Sequence, residues 1–186
     1  HRPAGEIEAC GGDMMVRAAA FDQVGGCDST VIAAEDDEFC TRLRVAGWEL
    51  ERLPIQMTRH DAAMTRFGQW WRRAIRAGHG FAQVGDMHPG YFARERKRVL
   101  IFGGLLPAVA LCGSLVSGLA PLGVAMLYGL SYLRSIKGLQ AEGLPPAEAR
   151  RQGVFLALSK FPNLIGMATY GLRRLRNSAP SIIEYQ

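Results

Sequence analysis

Hydrophobic and polar positions change their pattern twice along the chain, near Val99 and near Arg134. Between Val99 and Leu133 there is no charged residue. One helix needs about 20 apolar residues to cross the hydrocarbon core of a membrane, so the stretch is long for one helix and short for two. The segment Ser117 to Pro121 interrupts its middle, which favours a hairpin of two short membrane helices. A buried helical hairpin of a soluble protein is the alternative.

The residues before this stretch have the mixed pattern of a globular region. Ala18 to Val24 and Glu35 to Ala46 are predicted to be helices, because glycines stop both and acidic residues occupy the first turn of the second. The predicted extended segments are Ile7 to Arg17, bent around two glycines, and the pair Trp48 to Leu53 and Ile55 to His60, separated by Pro54.

Two further apolar patterns lie on either side of the hairpin. Residues 64–85 predict an amphipathic helix with one apolar face, formed by Met64, Phe67, Trp71 and Ile75. It either lies in the membrane interface or packs on the globular region. The stretch Val154 to Leu172 contains Lys160 and is followed by basic residues, so we expect an interfacial helix on the cytoplasmic side.

The charge distribution favours a membrane surface over nucleic acid. The net charge is +5 and the pI is about 9.3. The basic residues flank the apolar stretches, and no nucleic-acid recognition motif is present. Arg94 to Arg98 precede the hairpin and Arg134 and Lys137 follow it, which places both ends in the cytoplasm by the positive-inside rule. The four cysteines have no metal-finger or disulfide spacing, so we expect reduced thiols.

Residues 9–80 contain an ordered series of short motifs. The series consists of Cys10-Gly11-Gly12-Asp13, Arg17, Ala20-Phe21, Val24-Gly25-Gly26, Asp28, Glu35-Asp36-Asp37-Glu38-Phe39, Arg42-Leu43, Gly47-Trp48, Pro54, His60 and an arginine-rich helix. In this order the motifs resemble family 2 glycosyltransferases. No single motif is specific, but their order is. The resemblance implies an α/β glycosyltransferase A-type domain, whose N-terminal half binds a nucleotide-sugar and whose C-terminal half binds the acceptor.

In such enzymes an upstream Asp-x-Asp holds a divalent metal, Mg or Mn, against the donor diphosphate. The present sequence begins at His1 without methionine and contains no Asp-x-Asp. We therefore expect a C-terminal part of a longer enzyme. By itself this part is expected to be inactive.

The resemblance assigns Asp36 as the catalytic base. Inverting sugar transfer needs a carboxylate that takes the proton of the acceptor hydroxyl. A position in the first turn of a helix favours the ionised form of that carboxylate. Glu35 is expected to orient the base or the acceptor, whereas Asp37 and Glu38 are expected to be solvated. For Asp36, an ordinary acidic helix start without catalytic function is the alternative.

The glycine motif is expected to contact the sugar or the acceptor. Gly11 and Gly12 have no side chain to obstruct a close approach of the backbone, although a β-bulge explains them equally well. Asp13 follows them where relatives often have Asn, and it is a further candidate for sugar binding.

Two basic motifs are candidates for the donor side. Arg72 and Arg73 lie in Gln69-Trp70-Trp71-Arg72-Arg73, which is similar to the Gln-x-x-Arg-Trp element of processive polysaccharide synthases, except that Arg73 replaces the tryptophan. They are expected to bind the diphosphate, with lipid phosphates as the alternative ligand. His60 resembles a histidine that reaches the metal or the diphosphate in some A-type enzymes, but a structural histidine is equally compatible with the sequence.

Together these expectations describe a hexosyltransferase-like enzyme (EC 2.4) at the inner face of a bacterial cytoplasmic membrane. It transfers sugar from a nucleotide-sugar to a glycan or lipid-linked acceptor in polysaccharide or envelope synthesis. The expected regions are a catalytic part (1–85), a basic linker (86–98), a transmembrane hairpin (99–136) and a cytoplasmic or interfacial helical tail (137–186). A non-catalytic membrane-anchored interaction module and a metal-dependent hydrolase built on the acidic cluster and His60 are the other functional classes.

Overall fold

The computed structural model describes residues 4–11, 13–55 and 64–176, and this part of the chain is mostly helical. Its helices are α1 (Ala18–Gln23), α2 (Glu35–Val45), α3 (Phe67–Met87), α4 (Ala93–Val99), a π-helical segment (Leu100–Leu105), α5 (Leu106–Ser114), α6 (Leu119–Ala141), α7 (Pro146–Leu158) and α8 (Lys160–Leu175). The two helices predicted in the globular region are therefore present. The amphipathic helix predicted over residues 64–85 is present as α3.

Strand structure is sparse in the described residues. β1 (Gly5–Glu6) pairs with β2 (Glu51–Arg52) in an antiparallel ladder. The strand predicted over Ile7 to Arg17 is wrong where the chain is described, because those residues are irregular after the hydrogen bond from the Ile7 amide to the Leu50 carbonyl. A strand persists only where a second strand accepts and donates its backbone hydrogen bonds, and β2 is only two residues long. The expected α/β A-type sheet thus remains a prediction.

A small apolar core holds α1 and α2 together. Ala20, Phe39 and Leu43 are buried in it, and partly buried side chains from the flanking segments cover them. Phe21 and Phe39 contact each other with ring centroids 5.7 Å apart. This core fixes the direction of α2, and therefore the position of the acidic first turn.

Helices α3 and α8 cross with their backbones in contact. A Cβ atom added at Gly166 would lie 1.9 Å from the carbonyl oxygen of Ile75, and one added at Gly78 would lie 2.0 Å from that of Asn163. Only glycine permits such a close approach. The apolar face of α3 therefore packs on another helix around Ile75, whereas Phe67 at its beginning is 56% exposed.

Two helices are long and apolar enough to cross a membrane, by length and composition. They are Ala93–Ser114, which combines α4, the π-helical segment and α5, and Leu119–Ala141, which is α6. The break between them covers residues 115–118, so it overlaps the predicted Ser117 to Pro121 segment only at Ser117 and Gly118. Both helices are largely exposed. Within the π-helical segment, a Cβ atom on Gly103 would lie 2.4 Å from the Lys160 carbonyl oxygen, so α8 is in close contact with this segment.

The last apolar stretch differs from its prediction. Val154 to Leu172 is divided by a break at Ser159 between α7 and α8, so it is not one helix. Helix α8 lies against α3 through backbone contacts at Gly166, which the apolar pattern did not indicate. Whether α8 also lies in the membrane interface stays a prediction.

Candidate functional site

The candidate site is built around the first turn of α2. Ala34 precedes the helix in the left-handed conformation (φ 59°, ψ 34°), and its carbonyl accepts the hydrogen bond from the Glu38 amide. Four successive carboxylates follow. Glu35 is exposed and lies 3.7 Å from the Arg76 guanidinium of α3, whereas Asp36 is half-buried.

Asp37 is bound to the segment between α3 and α4. The hydroxyl of Tyr91 donates a hydrogen bond of 2.9 Å to Asp37 Oδ1. Burial raises the pKa of Asp37 above its ordinary value, and the Tyr91 hydrogen bond opposes part of that rise. The same burial, together with the neighbouring carboxylate, raises the pKa of Tyr91. Asp37 is therefore a partnered residue, not a solvated one.

Glu38 is fully buried, with only 1% of its side chain exposed, so the prediction that it is solvated is wrong. Arg42 donates two hydrogen bonds to the Glu38 carboxylate, each with a donor–acceptor distance of 2.7 Å. His88 Nε2 lies 3.1 Å from Oε1 of the same carboxylate. Burial alone would raise the pKa of Glu38, but the hydrogen bonds from Arg42 and His88 bring it below the ordinary value. Arg42 also donates to the carbonyls of Val24 and Gly26, which fixes the loop after α1 to α2.

The segment that contains the glycine motif lies against α2. The sulfur of Cys10 is 3.6 Å from the sulfur of Cys40, and both thiols are free. Cys40 lies one helical turn after Asp36, on the same face of α2. Burial, the Cys40 thiol and the negative charge of Asp36 raise the pKa of Cys10 to about 12. The structure therefore brings the residue before the glycines close to Asp36.

An open cavity of about 1120 Å³ lies beside this segment. Its lining includes Cys10 and Asp13 of this segment and the residues Trp48 to Ile55. Gly11 is exposed, and a Cβ atom added there would meet no protein atom within 4 Å. No strand includes Gly11, so the β-bulge interpretation does not hold for it. Gly12 lies outside the described residues.

The arginine candidates are at the beginning of α3. Arg72 and Arg73 are both exposed, and Arg76, one turn further on, is the arginine that lies near the acidic turn.

The metal candidate, His60, lies outside the described residues. Among the residues that the structure does describe, no three His, Cys, Asp or Glu side chains are grouped to hold a metal ion. The expected Mg or Mn ion stays a prediction, because its main ligands are expected in an Asp-x-Asp upstream of His1.

Three residues that support the site have no role assigned from the sequence. They are Arg42, which is part of the motif series, and His88 and Tyr91, which are not. The Glu38–Arg42 pair has the i, i+4 spacing of a helix ion pair, so that signal was present in the sequence. His88 and Tyr91 are 50 and 54 residues away from their partners. No local pattern indicates contacts at that separation.

Comparison with known proteins gives two related matches. Residues 2–66 match the family described as the N-terminal domain of galactosyltransferase. The chain is also 29% identical over 154 residues to the pre-mycofactocin glycosyltransferase of two Mycobacterium tuberculosis strains, CDC 1551 and H37Rv. The aligned region covers 82% of this chain and 32% of the relatives, so the chain spans about a third of their length. No solved structure matches the chain.

These matches support a glycosyltransferase. The family match covers the segment that contains the glycine motif and the acidic turn, and the relatives have the same general activity in their names. A glycosyltransferase uses a sugar donor, in general a nucleotide-sugar, and an acceptor.

Proposed function

We propose that this chain is the acceptor-side part of a membrane-anchored, inverting family 2 glycosyltransferase. The observation that carries the proposal is the contact between the Cys10 and Cys40 sulfurs, 3.6 Å apart, which holds the glycine segment beside the acidic turn of α2. The space around Gly11 is open, and a large cavity lies beside the same segment. A sugar hydroxyl therefore has room to approach a carboxylate at this place.

In the proposed reaction, the Asp36 carboxylate takes the proton of an acceptor hydroxyl. The hydroxyl oxygen forms a bond to the anomeric carbon of the donor sugar, and the bond from that carbon to the diphosphate oxygen breaks. The electron pair of the broken bond remains on the departing nucleotide diphosphate. Glu35 and Asp13 orient the acceptor, and Arg72 and Arg73 bind the diphosphate through charge-assisted hydrogen bonds.

The surrounding contacts support this choice of base. Glu38 is held by Arg42 and His88, and Asp37 is held by Tyr91. These contacts hold the turn in place. Asp36 is half-buried, and its negative charge helps to raise the pKa of Cys10, which lines the cavity.

The membrane part of the proposal rests on the two long apolar helices and their basic flanks. Both helix ends lie in the cytoplasm in this proposal, and the acceptor is a glycan or a lipid-linked molecule. Residues outside this chain supply the nucleotide pocket and the metal-binding Asp-x-Asp. Accordingly, the chain alone is expected to show no sugar transfer.

The experiment that tests the proposal uses membranes that contain the complete protein. Transfer of labelled sugar from a panel of nucleotide-sugars to membrane acceptors is measured for the wild type, Asp36→Asn and the control Asp22→Asn. Asp22 is exposed on α1 and belongs to no part of the site. We expect Asp36→Asn to reduce transfer about a hundredfold or more. Equal transfer by the two variants would refute the role of Asp36.

A further inference from the structure

One side of α7 and the first turns of α3 form an apolar patch on the protein surface. Its members, named here the α3–α7 patch, are Phe67, Trp70, Trp71, Val154, Phe155 and Leu158. The ring of Phe155 packs edge-on against that of Trp70, with centroids 5.0 Å apart, and so joins the two helices. Phe67 is 56% exposed, and Val154 and Phe155 are 45% and 44% exposed. A contiguous exposed apolar surface marks a contact with a membrane or another protein.

Another side of α7 packs on the second apolar helix, near the point where the uncharged stretch of that helix ends. A Cβ atom added at Gly153 would lie 3.0 Å from the ring of Tyr132 and 3.3 Å from Ile136. The Tyr132 hydroxyl donates a hydrogen bond to the Arg150 carbonyl. Arg134, the first charged residue after the apolar stretch, lies between these contacts on α6. In a hairpin that crosses the membrane, such a boundary lies at the level of the lipid headgroups, so α7 lies there too.

Basic residues border the patch on both helices. Arg66 directly precedes Phe67, and the sequence contains no acidic residue from Thr65 to Val84. Arg151 lies one turn before Phe155 on the same side of α7, a helix with two arginines and one glutamate. Both bordering arginines are exposed. Arginines beside exposed apolar and aromatic side chains complement a lipid surface, where phosphates lie next to acyl chains.

The rest of the fold holds the patch in a fixed orientation. Beyond its first turns, α3 packs on α8 through close backbone contacts at Gly78 and Gly166. Helix α8 in turn contacts the π-helical segment, where a Cβ atom on Gly103 would lie 2.4 Å from the Lys160 carbonyl oxygen. The beginning of α3 is thus connected to the first apolar helix through α8 and to the second through α7.

We propose that the α3–α7 patch lies in the headgroup layer on the cytoplasmic side of the membrane. Its apolar side chains contact the upper parts of the acyl chains, about 5–10 Å deep, and Arg66 and Arg151 contact lipid phosphates. The proposal rests on the membrane hairpin of the proposed function, because the hairpin sets the level of α7. It does not depend on the role of Asp36. The patch would place the beginning of α3 at the membrane surface, where a lipid-linked acceptor is found.

The test measures the quenching of tryptophan fluorescence in lipid vesicles that contain the full chain. The sequence has three tryptophans, Trp48, Trp70 and Trp71. The variant Trp48→Phe retains the two tryptophans of the patch. The matched control, Trp70→Phe with Trp71→Phe, retains Trp48, which packs on the core of α1 and α2. The vesicles contain lipids that are brominated either near the headgroup or near the end of the acyl chain.

In Trp48→Phe, bromine near the headgroup should quench the fluorescence about twofold or more, and bromine near the chain end should quench it less, because an interfacial face is shallow. Neither lipid should quench Trp48 in the control. Adding Val154→Asp to Trp48→Phe should reduce the quenching, because this substitution brings a charge into an apolar layer. Adding Val45→Asp instead should leave the quenching unchanged, since Val45 is an 82% exposed valine of α2 outside the patch.

Retention of the chain in the vesicles after carbonate extraction separates this proposal from the hairpin. A retained chain in which Trp70 and Trp71 are quenched no more than Trp48 would refute the patch and leave the hairpin intact. Stronger quenching from the chain end, or equal effects of Val154→Asp and Val45→Asp, would refute the patch as well. Complete extraction by carbonate would contradict both the hairpin and the patch, because the hairpin sets the position of the patch.

Discussion

Nε2 of His88 lies 3.1 Å from Oε1 of Glu38, which joins the end of α3 to the first turn of α2. Tyr91 makes a second connection of the same kind, through its hydrogen bond to Asp37. Both residues lie in the short segment that leads into the first apolar helix. The turn that contains Asp36 is therefore held by the segment adjoining the predicted membrane anchor.

We expect Glu38→Ala to destabilise the chain by about 2–3 kcal/mol. The substitution removes a buried carboxylate and leaves the donors of Arg42 and His88 without their partner. For a chain of this size the loss corresponds to a decrease in Tm of about 5–10 °C in a detergent-solubilised sample. The control is Glu8→Ala, an exposed glutamate, which should change Tm by about 1–2 °C at most. Equal Tm values for the two variants would contradict the structural role of Glu38.

The contribution of Glu38 should depend on pH in a defined direction. Its pKa in the folded chain is lower than the ordinary value of 4.5, so the folded state favours the ionised carboxylate. This stabilisation is fully present above pH 4.5 and is lost as the pH falls through the lower folded pKa. The Tm difference between the wild type and Glu38→Gln should therefore decrease as the pH falls below 4.5. A difference that grows on acidification would mean that the pKa is raised instead.

The crossing of α3 and α8 should not tolerate a larger residue at Gly166. In Gly166→Ala the new Cβ would lie 1.9 Å from the Ile75 carbonyl oxygen, so the two backbones must separate. We expect a loss of about 3 kcal/mol or more, measured by thermal unfolding in detergent. Gly171→Ala on the same helix is the matched control, because a Cβ atom there meets nothing within 4 Å.

For Gly171→Ala we expect a small gain in stability, up to about 1 kcal/mol, since alanine is the better helix former. Opposite effects of the two substitutions are therefore the signature of the helix crossing. Similar Tm values for both variants would show that α3 and α8 do not make this close contact.

Parts of the structure follow directly from the sequence. The first turn of α2 is acidic and Gly47 adopts φ 90° just after the helix ends, so local signals define both its beginning and its end. The break between the two apolar helices also follows from local residues around Ser117. These features depend on neighbours within one or two helical turns, which a single sequence displays.

Other parts depend on contacts between distant residues. An acidic residue at a helix start is normally solvated, and nothing near Glu38 in the sequence indicates that His88 covers it. In the sequence, Gly166 is only a residue of low helix propensity. The structure shows that it contacts the backbone of Ile75. In the same way, the segment from Ile7 to Arg17 is predicted to be a strand bent around two glycines, but the described residues provide only β2 as a partner for β1.

The hairpin prediction can be tested by cysteine labelling from outside intact cells. With the four native cysteines replaced by serine, a single cysteine is introduced at Ser117, in the turn between the two apolar helices, or at Lys137, near the end of α6. The basic flanks place both helix ends in the cytoplasm, so a membrane-impermeant reagent should label position 117 but not position 137. Labelling of position 137 alone would show the opposite orientation. Labelling of neither position, with both accessible after lysis, would contradict the transmembrane hairpin.

The central claim is that the Asp36 carboxylate accepts the proton of the acceptor hydroxyl, and sugar transfer by Asp36→Asn in the complete membrane-bound protein tests it most directly. Asparagine has nearly the same shape, so Tm and the amount of protein in the membrane should match those of the wild type. The substitution removes the base, and transfer should fall about a hundredfold or more while Asp22→Asn remains active. Transfer at the wild-type rate by a well-folded Asp36→Asn variant would contradict the account.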